Sequence, residues 1–258
     1  LSIAVLPFAN MSGDSEQEYF ADGISEDIIT ALSKLSQLFV IARNSSFTFK
    51  GRNVNVQEVS KTLGVRYVLE GSVRKSGDRV RITAQLIDAV SGGHIWAERF
   101  DRELTDIFAV QDDVVMQIVD ALSLNLTQVD KERLAPDQTT NVEAYDAYLR
   151  GREFWWLSKK VANAEAQKLF ERSISLDPDF SAAYAWLAAA HMVDYVAGWT
   201  GRPSESLEKA ELAAAKSLEL DDRSATAYWA RSFIHLYMRR HDAAISDGRQ
   251  TLKLNPSF

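Results

Sequence analysis

The sequence contains no cysteine, and that absence excludes several kinds of chemistry. Without thiols the chain has no disulfide framework, no thiolate nucleophile and no cysteine-ligated metal site, so its composition leaves the redox compartment open. Long hydrophobic runs are missing as well. No stretch reaches the roughly 18 apolar residues that a membrane-spanning helix needs, and no segment resembles a signal peptide. We therefore expect no membrane insertion of this chain.

An excess of positive charge is also absent. The 258 residues include 29 basic and 36 acidic side chains, which give a formal net charge of −7 at pH 7. Nucleic-acid-binding domains usually show the opposite balance, with Lys and Arg clustered on one face, so we predict no nucleic-acid partner. With 46% hydrophobic residues, the chain is large enough to fold around two cores.

No arrangement of side chains predicts catalysis or metal binding. His235 and His241 are six residues apart, which matches neither the i+3 nor the i+4 spacing of ligands on one helix face, and H-E-x-x-H does not occur. Asp112 and Asp113 are neighbours on a predicted helix, where adjacent side chains diverge by about 100°. Ser45-Ser46 lacks the G-x-S-x-G elbow of a serine nucleophile. We predict no catalytic residue, no metal site and no cofactor.

The second half of the chain contains an internal repeat. Its segments close on Leu176-Asp177-Pro178, Leu220-Asp221-Asp222 and Leu254-Asn255-Pro256, and the last two closures are 34 residues apart, the period of a tetratricopeptide (TPR) helix-turn-helix unit. Three more positions recur in each repeat: a tyrosine that opens the first helix, a small residue within that helix, and an alanine in the second helix. They are Tyr145, Gly151 and Ala166; Tyr184, Ala188 and Ala210; and Tyr228, Ser232 and Ala244.

We therefore predict an all-α helical-hairpin array over residues 136–258. Phe258 stands where a further repeat would begin, so we expect the array to be truncated there. Gly248 departs from the large residue that this family carries in the last helix. The array divides into about three TPRs, at 141–178, 181–222 and 225–256.

The first two predicted repeats are longer than the third. We assign their extra residues to loops between the paired helices. In the second repeat these residues include Gly198, Gly201 and Pro203, which break helices and favour a surface excursion.

The first helix of each repeat is predicted to line a groove that binds a protein or peptide partner. Trp229, Phe233 and Tyr237 follow one another at i, i+4 and i+8, which places them in one aromatic stripe. The Lys/Asn clamp with which some TPR proteins bind carboxylates is absent, so an apolar segment is the expected guest. Self-association is a second reading, and burial of the stripe under further helices or the first domain is a third. The predicted partner-binding residues are Tyr145, Tyr148, Arg152, Trp155, Met192, Trp229, Phe233 and Tyr237.

The first half predicts a mixed α/β domain over residues 1–135. Asn55, followed three residues later by Glu58, predicts a capping box at the start of a helix, and Gly64 suits the C-terminal cap. A polar linker is predicted at 136–140. The predicted elements are, in order, a strand at 2–8, a helix around 24–35, a strand at 38–42, a helix at 55–64, strands at 65–75, 79–86 and 94–100, and a helix at 107–122.

Two of these strands form a predicted hairpin at the turn Ser76-Gly77-Asp78, with Arg74 opposite Arg79. One face of the hairpin should pack on helices, and the other should meet water or a partner. Arginines dominate the second face, which predicts an anion-binding site, with an ordinary solvated sheet face as the alternative. The predicted anion-binding residues are Arg66, Arg74, Arg79 and Arg81.

Four segments of the first half carry a resemblance to a known family. They are residues 2–10, 19–23, 39–43 and 67–74. Together they resemble the TolB amino-terminal-like domain over most of residues 1–130. In bacterial signalling proteins such a domain stands between a class III adenylate/guanylate cyclase catalytic domain, or a winged-helix DNA-binding domain, and a string of TPRs. The resemblance implies this architecture but no catalytic role.

The combined prediction is a non-catalytic regulatory and protein-interaction module of a bacterial signalling protein of the adenylate cyclase type, located in the cytoplasm. One alternative is a sensor that binds a small molecule, a nucleotide or another anion through the arginine-rich face. Another is an envelope-associated assembly factor in the periplasm, because TolB-related domains also occur outside the cytoplasm.

The lack of a predicted nucleophile, metal site or phosphate loop leads to a first test. Purified protein incubated with ATP or GTP and Mg²⁺ or Mn²⁺ is expected to release neither cyclic nucleotide nor phosphate above a buffer blank. Chromatographic separation of the products measures both. Turnover that co-purifies with the protein through two different columns would contradict this prediction.

Overall fold

The computed structural model describes residues 1–52, 54–134 and 139–258. The chain divides into two compact units: unit 1 comprises residues 1–135 and 256–258, and unit 2 comprises residues 136–255. The predicted polar linker at 136–140 lies mostly outside the described residues.

Unit 1 is built around one mixed sheet. The strands lie in the order β3-β1-β4-β5-β6, and β2 pairs with the far part of β4. β1 runs parallel to β3 and β4, whereas β4 pairs antiparallel with β5, and β5 pairs antiparallel with β6. The strands are β1 (Ser2–Val5), β2 (Ala9–Asn10), β3 (Phe39–Val40), β4 (Tyr67–Ser76), β5 (Arg79–Asp88) and β6 (Gly93–Glu103). The helices of unit 1 are α1 (Glu18–Ser33), α2 (Arg43–Ser46), α3 (Val56–Leu63), α4 (Ile107–Ala121) and α5 (Gln128–Leu134).

The first strand of the structure is interrupted, so the predicted extent of the opening strand, 2–8, is wrong. β1 ends at Val5, and the Leu6 amide still donates to the Leu69 carbonyl at 2.8 Å. Pro7 has no N–H with which to continue the ladder. Pairing resumes in β2, where Ala9 lies opposite Ser72 of β4.

The first residues of β4 are buried on both faces of the sheet. Tyr67, Val68 and Leu69 are all buried in succession. Val68 packs in a core cluster with Val59 of α3, while Leu69 points to the opposite face by strand alternation. The expectation that one whole face of the hairpin meets water is therefore wrong for this part of β4. It holds further along, where Arg74 is exposed.

The β4–β5 hairpin has a different register from the predicted one. Gly77-Asp78 forms a two-residue turn with Gly77 at φ +55°, so Ser76 pairs with Arg79. Arg74 consequently lies opposite Arg81, and the predicted pairing with Arg79 is wrong by two residues. Because side chains alternate with a period of two, this shift leaves every residue on its predicted face.

Helix α3 confirms its predicted ends. The Asn55 side chain accepts a hydrogen bond from the Gln57 amide at 2.8 Å, which caps the N-terminus. Gly64 closes the helix in the left-handed conformation at φ +68°, which costs glycine little.

Unit 2 is a helical array of three successive helix pairs, in agreement with the predicted all-α second half. The closure at Asp177-Pro178 joins the first pair to the second, and the closure at Asp221-Asp222 joins the second pair to the third. The helices are α6 (Val142–Trp156), α7 (Lys160–Leu176), α8 (Ser181–Val196), α9 (Pro203–Leu220), α10 (Ala225–Tyr237) and α11 (His241–Leu254).

The extra residues of the longer pairs mostly lengthen helices, so the assignment to loops is wrong for most of them. In the second pair α8 and α9 have 16 and 18 residues, against 13 and 14 for α10 and α11. The connection at 197–202 has six residues, against three at 238–240, and it holds Gly198 and Gly201 as predicted. Pro203 does not break a helix but opens α9, because its fixed φ suits the first helical position.

Small residues allow the paired helices to approach closely. A Cβ added to Gly151 of α6 would lie 2.6 Å from the nearest ring carbon of Phe170 on α7, and that ring is fully buried. In the second pair Ala188 and Ala210 are both fully buried. Gly248 of α11 has no such neighbour within 4 Å of an added Cβ.

This contrast gives a matched pair of substitutions. Gly151→Ala should reduce the free energy of unfolding by about 1–3 kcal/mol, because the new methyl group forces the Phe170 ring to move. Gly248→Ala should instead increase it by up to about 1 kcal/mol, since alanine favours a helix over glycine. Urea denaturation followed by circular dichroism measures both. Equal effects of the two substitutions would contradict close packing at Gly151.

Candidate functional site

Aromatic side chains from three helices form one surface of unit 2. We call Trp155 and Trp156 of α6, Trp186 of α8, and Trp229 and Phe233 of α10 the aromatic surface. The Trp155 ring centre lies 4.8 Å from that of Trp156, 5.0 Å from Trp186 and 6.3 Å from Trp229. Phe233 continues the series 5.8 Å from Trp229. The rings meet edge to face, the geometry that aromatic quadrupoles favour, so each ring positions the next.

The aromatic surface is only partly covered. Its four tryptophans are half-buried, and Phe233 is 38% exposed. The indole N–H of Trp155 is shielded from solvent and has no acceptor among the described residues. Such an unpaired buried donor costs about 1–3 kcal/mol, and the cost disappears when an acceptor oxygen reaches it.

Four of the predicted partner-binding residues have buried side chains. Tyr145, Tyr148, Arg152 and Met192 are all buried. Tyr148 packs against Phe180, with ring centres 5.0 Å apart. These four residues therefore leave little side-chain surface for a partner, and their role in partner binding stays a prediction.

Arg152 joins the buried layer to the aromatic surface. Its guanidinium carbon lies 5.2 Å from the ring centre of Tyr148 and 5.4 Å from that of Trp186, within the range of cation–π attraction. Its Nη1 also donates to the Tyr148 hydroxyl at 3.3 Å. The cation thus fixes the Trp186 ring from below.

The predicted stripe on α10 divides into two parts. Trp229 and Phe233 join the aromatic surface, whereas Tyr237 pairs with Tyr195 of α8 at a ring-centre distance of 5.5 Å. Sequence reasoning missed Trp186 because alanines dominate its helix. Its spacing from Ala182 and Ala189, at i−4 and i+3, was the available signal.

A buried ion pair holds α10 in place. Asp247 of α11 accepts two hydrogen bonds from the Arg231 guanidinium, at 2.8 and 2.7 Å. These bonds raise the pKa of Arg231 above its ordinary value, although burial opposes them. The pair fixes the helix that carries Trp229 and Phe233 against its neighbour.

The predicted anion-binding arginines of unit 1 have acceptors within the chain. Arg66 donates to Asp88, Arg79 and Arg81 both donate to Asp101, and the Arg74 side chain donates to the Met11 carbonyl. The sequence-based estimate of charge on this face missed the acidic residues that β5 and β6 contribute to it. An anion would have to compete with them, and anion binding there stays a prediction.

A second charged cluster in unit 1 escaped the sequence reasoning. Lys50 pairs with Asp22 at 2.5 Å and with Glu18 at 3.2 Å, and Arg43 pairs with Glu26. The three acids recur at i, i+4 and i+8 on α1, so one helix face collects them. Burial raises the pKa of the Asp22 carboxyl, against the opposing effect of Lys50.

Two further kinds of site are absent from the described residues. In the part of the chain that the structure describes, no group of three or more His, Asp or Glu side chains could hold a metal ion. None of the described helices is long and apolar enough to cross a membrane.

The Asp101 pair generates a pH prediction. Hydrogen bonds from Arg81 and Arg79 lower the pKa of Asp101 from 3.8 to about 2. A lowered pKa in the folded state means that the carboxylate stabilises the fold above pH 3.8, and that this contribution is lost as the pH falls toward 2. Arg81→Gln should raise the pKa toward the ordinary value in a carbon-detected NMR titration.

Arg102→Gln is the control for this titration. Arg102 lies next to Asp101 on β6, but its side chain donates to the Asp101 backbone carbonyl at 3.1 Å and not to the Asp101 carboxylate. The Arg102→Gln substitution should therefore leave the pKa of Asp101 unchanged. An unchanged Asp101 pKa in Arg81→Gln would show that the ion pair does not form in solution.

Comparison with known protein families connects unit 1 to regulators. Residues 1–121 match a family described as the HilA/YgeH-like transcriptional regulator, second domain. A curated protein from Rhizobium meliloti (strain 1021), named "Putative adenylate cyclase 3", is 47% identical over 243 residues, which are 94% of this chain. The chain spans 41% of the length of that relative.

Solved structures similar to the chain include three bacterial proteins. TolB from Acinetobacter baumannii is 20% identical with a TM-score of 0.35, over 47% of this chain and 28% of TolB. Lipoprotein GNA1162 from Neisseria meningitidis is also 20% identical with a TM-score of 0.35, over 49% of this chain and 99% of that protein. The LpoB C-terminal domain from Escherichia coli is 16% identical with a TM-score of 0.32, over 40% of this chain and 82% of that domain. TolB is thus among the neighbours, as the resemblance implied, but likeness at this distance carries no argument about function.

Proposed function

We propose that this chain is a non-catalytic regulatory and protein-interaction module of a bacterial signalling protein of the adenylate cyclase type. The name of the rhizobial relative and the match to a transcriptional-regulator domain support a regulatory role. Cyclase chemistry then belongs to the part of such a protein that lies outside the matched 41%. A cytoplasmic location follows from this proposal, because adenylate cyclases draw on cytoplasmic ATP.

We further propose that the three helix pairs of unit 2 are TPR units. The 34-residue spacing of the last two closures supports this assignment. So do the small residues at the contacts between paired helices, of which Gly151 against Phe170 is the tightest. TPR arrays bind extended or helical segments of other proteins on the surface formed by the first helix of each pair.

The aromatic surface is the observation that carries the binding proposal. It combines five large rings from the first helices of all three pairs. Tryptophan is among the residues that contribute most to protein interfaces, because it provides a large contact area with few rotatable bonds. The proposed partner is therefore an apolar peptide segment with aromatic or branched side chains.

Selection from a random peptide library tests this proposal. Short peptides displayed on phage and selected on the purified chain should be enriched in apolar residues. Phe233→Ser should weaken binding of a selected peptide by at least about tenfold in fluorescence anisotropy, because the most exposed ring of the surface is lost. Sedimentation at rising protein concentration reports self-association, the competing use of the same surface.

Leu212→Ser provides the matched control. Leu212 is an exposed apolar residue of α9, 71% accessible, and it is not part of the aromatic surface. Its substitution should leave peptide affinity unchanged, with both variants checked for folding by circular dichroism. Failure to enrich any peptide, or equal losses in the two variants, would overturn the proposed binding surface.

A further inference from the structure

The second helix pair encloses a polar cleft that is separate from the aromatic surface. Its volume is about 330 Å³, the lower end of the range for small-molecule sites. Much of it is built by the extra turns of α8 and α9 that the third pair lacks. The cleft is lined by Gln167, His191, Asp194, Thr200, Gly201, Arg202, Glu205, Ser206 and Lys209.

Two buried side chains line this cleft without hydrogen bonds. His191 and Ser206 are each 7% exposed, no hydrogen bond links either side chain to another described residue, and their polar atoms keep access to the solvent of the cleft. Buried polar side chains in folded proteins nearly always have a partner. Each of these two can donate a hydrogen bond into the cleft, the imidazole through a ring N–H and the serine through its hydroxyl.

The charges around His191 favour its neutral form. Burial lowers the pKa of the imidazole, and the nearby Lys209 ammonium lowers it further, while the Asp194 carboxylate opposes both. Asp194 is in turn held by the side-chain amides of Asn163 and Gln167, at 2.7 and 2.8 Å. An anion placed beside Lys209 would offset the positive charge that disfavours imidazolium.

The N-terminus of α9 opens onto the same cleft. The helix begins at Pro203 after Arg202, and no side chain caps it. Pro203 has no N–H and the Ser206 N–H donates to the Arg202 carbonyl, so the first turn offers the N–H groups of Ser204 and Glu205 together with the positive end of the helix dipole, which attracts anions. Gly201 and Arg202, directly before the helix, line the cleft as well.

One carboxylate now neutralises the cations of the cleft. Glu205 pairs with Lys209 at 2.9 Å and with Arg202 at 3.2 Å. All three side chains are more than two-fifths exposed, and exposed ion pairs of this kind are weak. A ligand that satisfies the buried donors as well as the cations can therefore displace the Glu205 carboxylate.

We propose that the polar cleft binds a small phosphate monoester. The phosphate would accept from the Ser206 hydroxyl, the His191 N–H and the first turn of α9, with Lys209 as its counter-ion. Donors that come from two helices and a helix end suit a tetrahedral oxyanion. The volume leaves room for a small organic group beyond the phosphate. This proposal stands independently of partner binding at the aromatic surface.

Isothermal titration with inorganic phosphate and with glycerol 3-phosphate tests the proposal. Both should bind saturably at millimolar concentrations or below. Ser206→Ala and Lys209→Gln should each weaken binding by about tenfold or more, because each removes a hydrogen bond to a charged group. Glu205→Gln should strengthen binding, since it removes the competing carboxylate. Ser206→Ala deletes a single hydroxyl, so circular dichroism is expected to show an unchanged fold.

The pair Lys216 and Glu219 supplies matched controls on the same helix. Their side chains form an ion pair at 2.8 Å and are not among the residues that line the cleft. Lys216→Gln and Glu219→Gln should leave the affinity for both phosphates unchanged. The proposal is overturned if no saturable binding is detected, or if Lys216→Gln weakens binding as much as Lys209→Gln does.

Discussion

The close approach of paired helices in unit 2 is the constraint on which its surfaces depend. Gly151 leaves room for the buried Phe170 ring, and Ala188 and Ala210 are fully buried in the next pair. Where the backbones can approach this closely, the bulky residues of the first helices must point elsewhere. They meet on one side as the aromatic surface, so small residues inside the pairs and large rings outside them are two consequences of one packing requirement.

Repeating positions predicted the helices of unit 2 well, because small residues recur for a steric reason that the sequence displays directly. Burial of individual groove residues was harder to predict. Tyr145 and Arg152 were predicted to line the groove, yet both are buried. Periodicity shows which residues share a helix face, but not how deeply neighbouring helices cover that face. Trp186 was missed for the same reason, since its contacts with Trp155 and Phe170 come from other helices.

In unit 1, too, the sequence predicted local contacts but not contacts between distant parts of the chain. The caps of α3 depend on Asn55 and Gly64 within a few residues, and the sequence predicted both. The hairpin register depends on the turn type chosen at Gly77-Asp78, which alternation alone leaves open by two residues. The acceptors of the arginine-rich face come from neighbouring strands. Only the sheet order brings Asp101 of β6 beside Arg79 and Arg81.

Hydrogen-bond satisfaction distinguishes the two units as places for binding. On the sheet face of unit 1, Arg66, Arg79 and Arg81 all have carboxylate acceptors. An anionic ligand must therefore compete with these carboxylates for the arginines. Unit 2 keeps one buried donor without an acceptor among the described residues, the Trp155 indole N–H, and its polar cleft is lined by the His191 and Ser206 side chains, which make no hydrogen bond to the described residues. An acceptor that enters the cleft displaces water from these two side chains and does not compete for them with a carboxylate. For equal contact area, a ligand therefore gains more free energy in unit 2 than on the arginine-rich face.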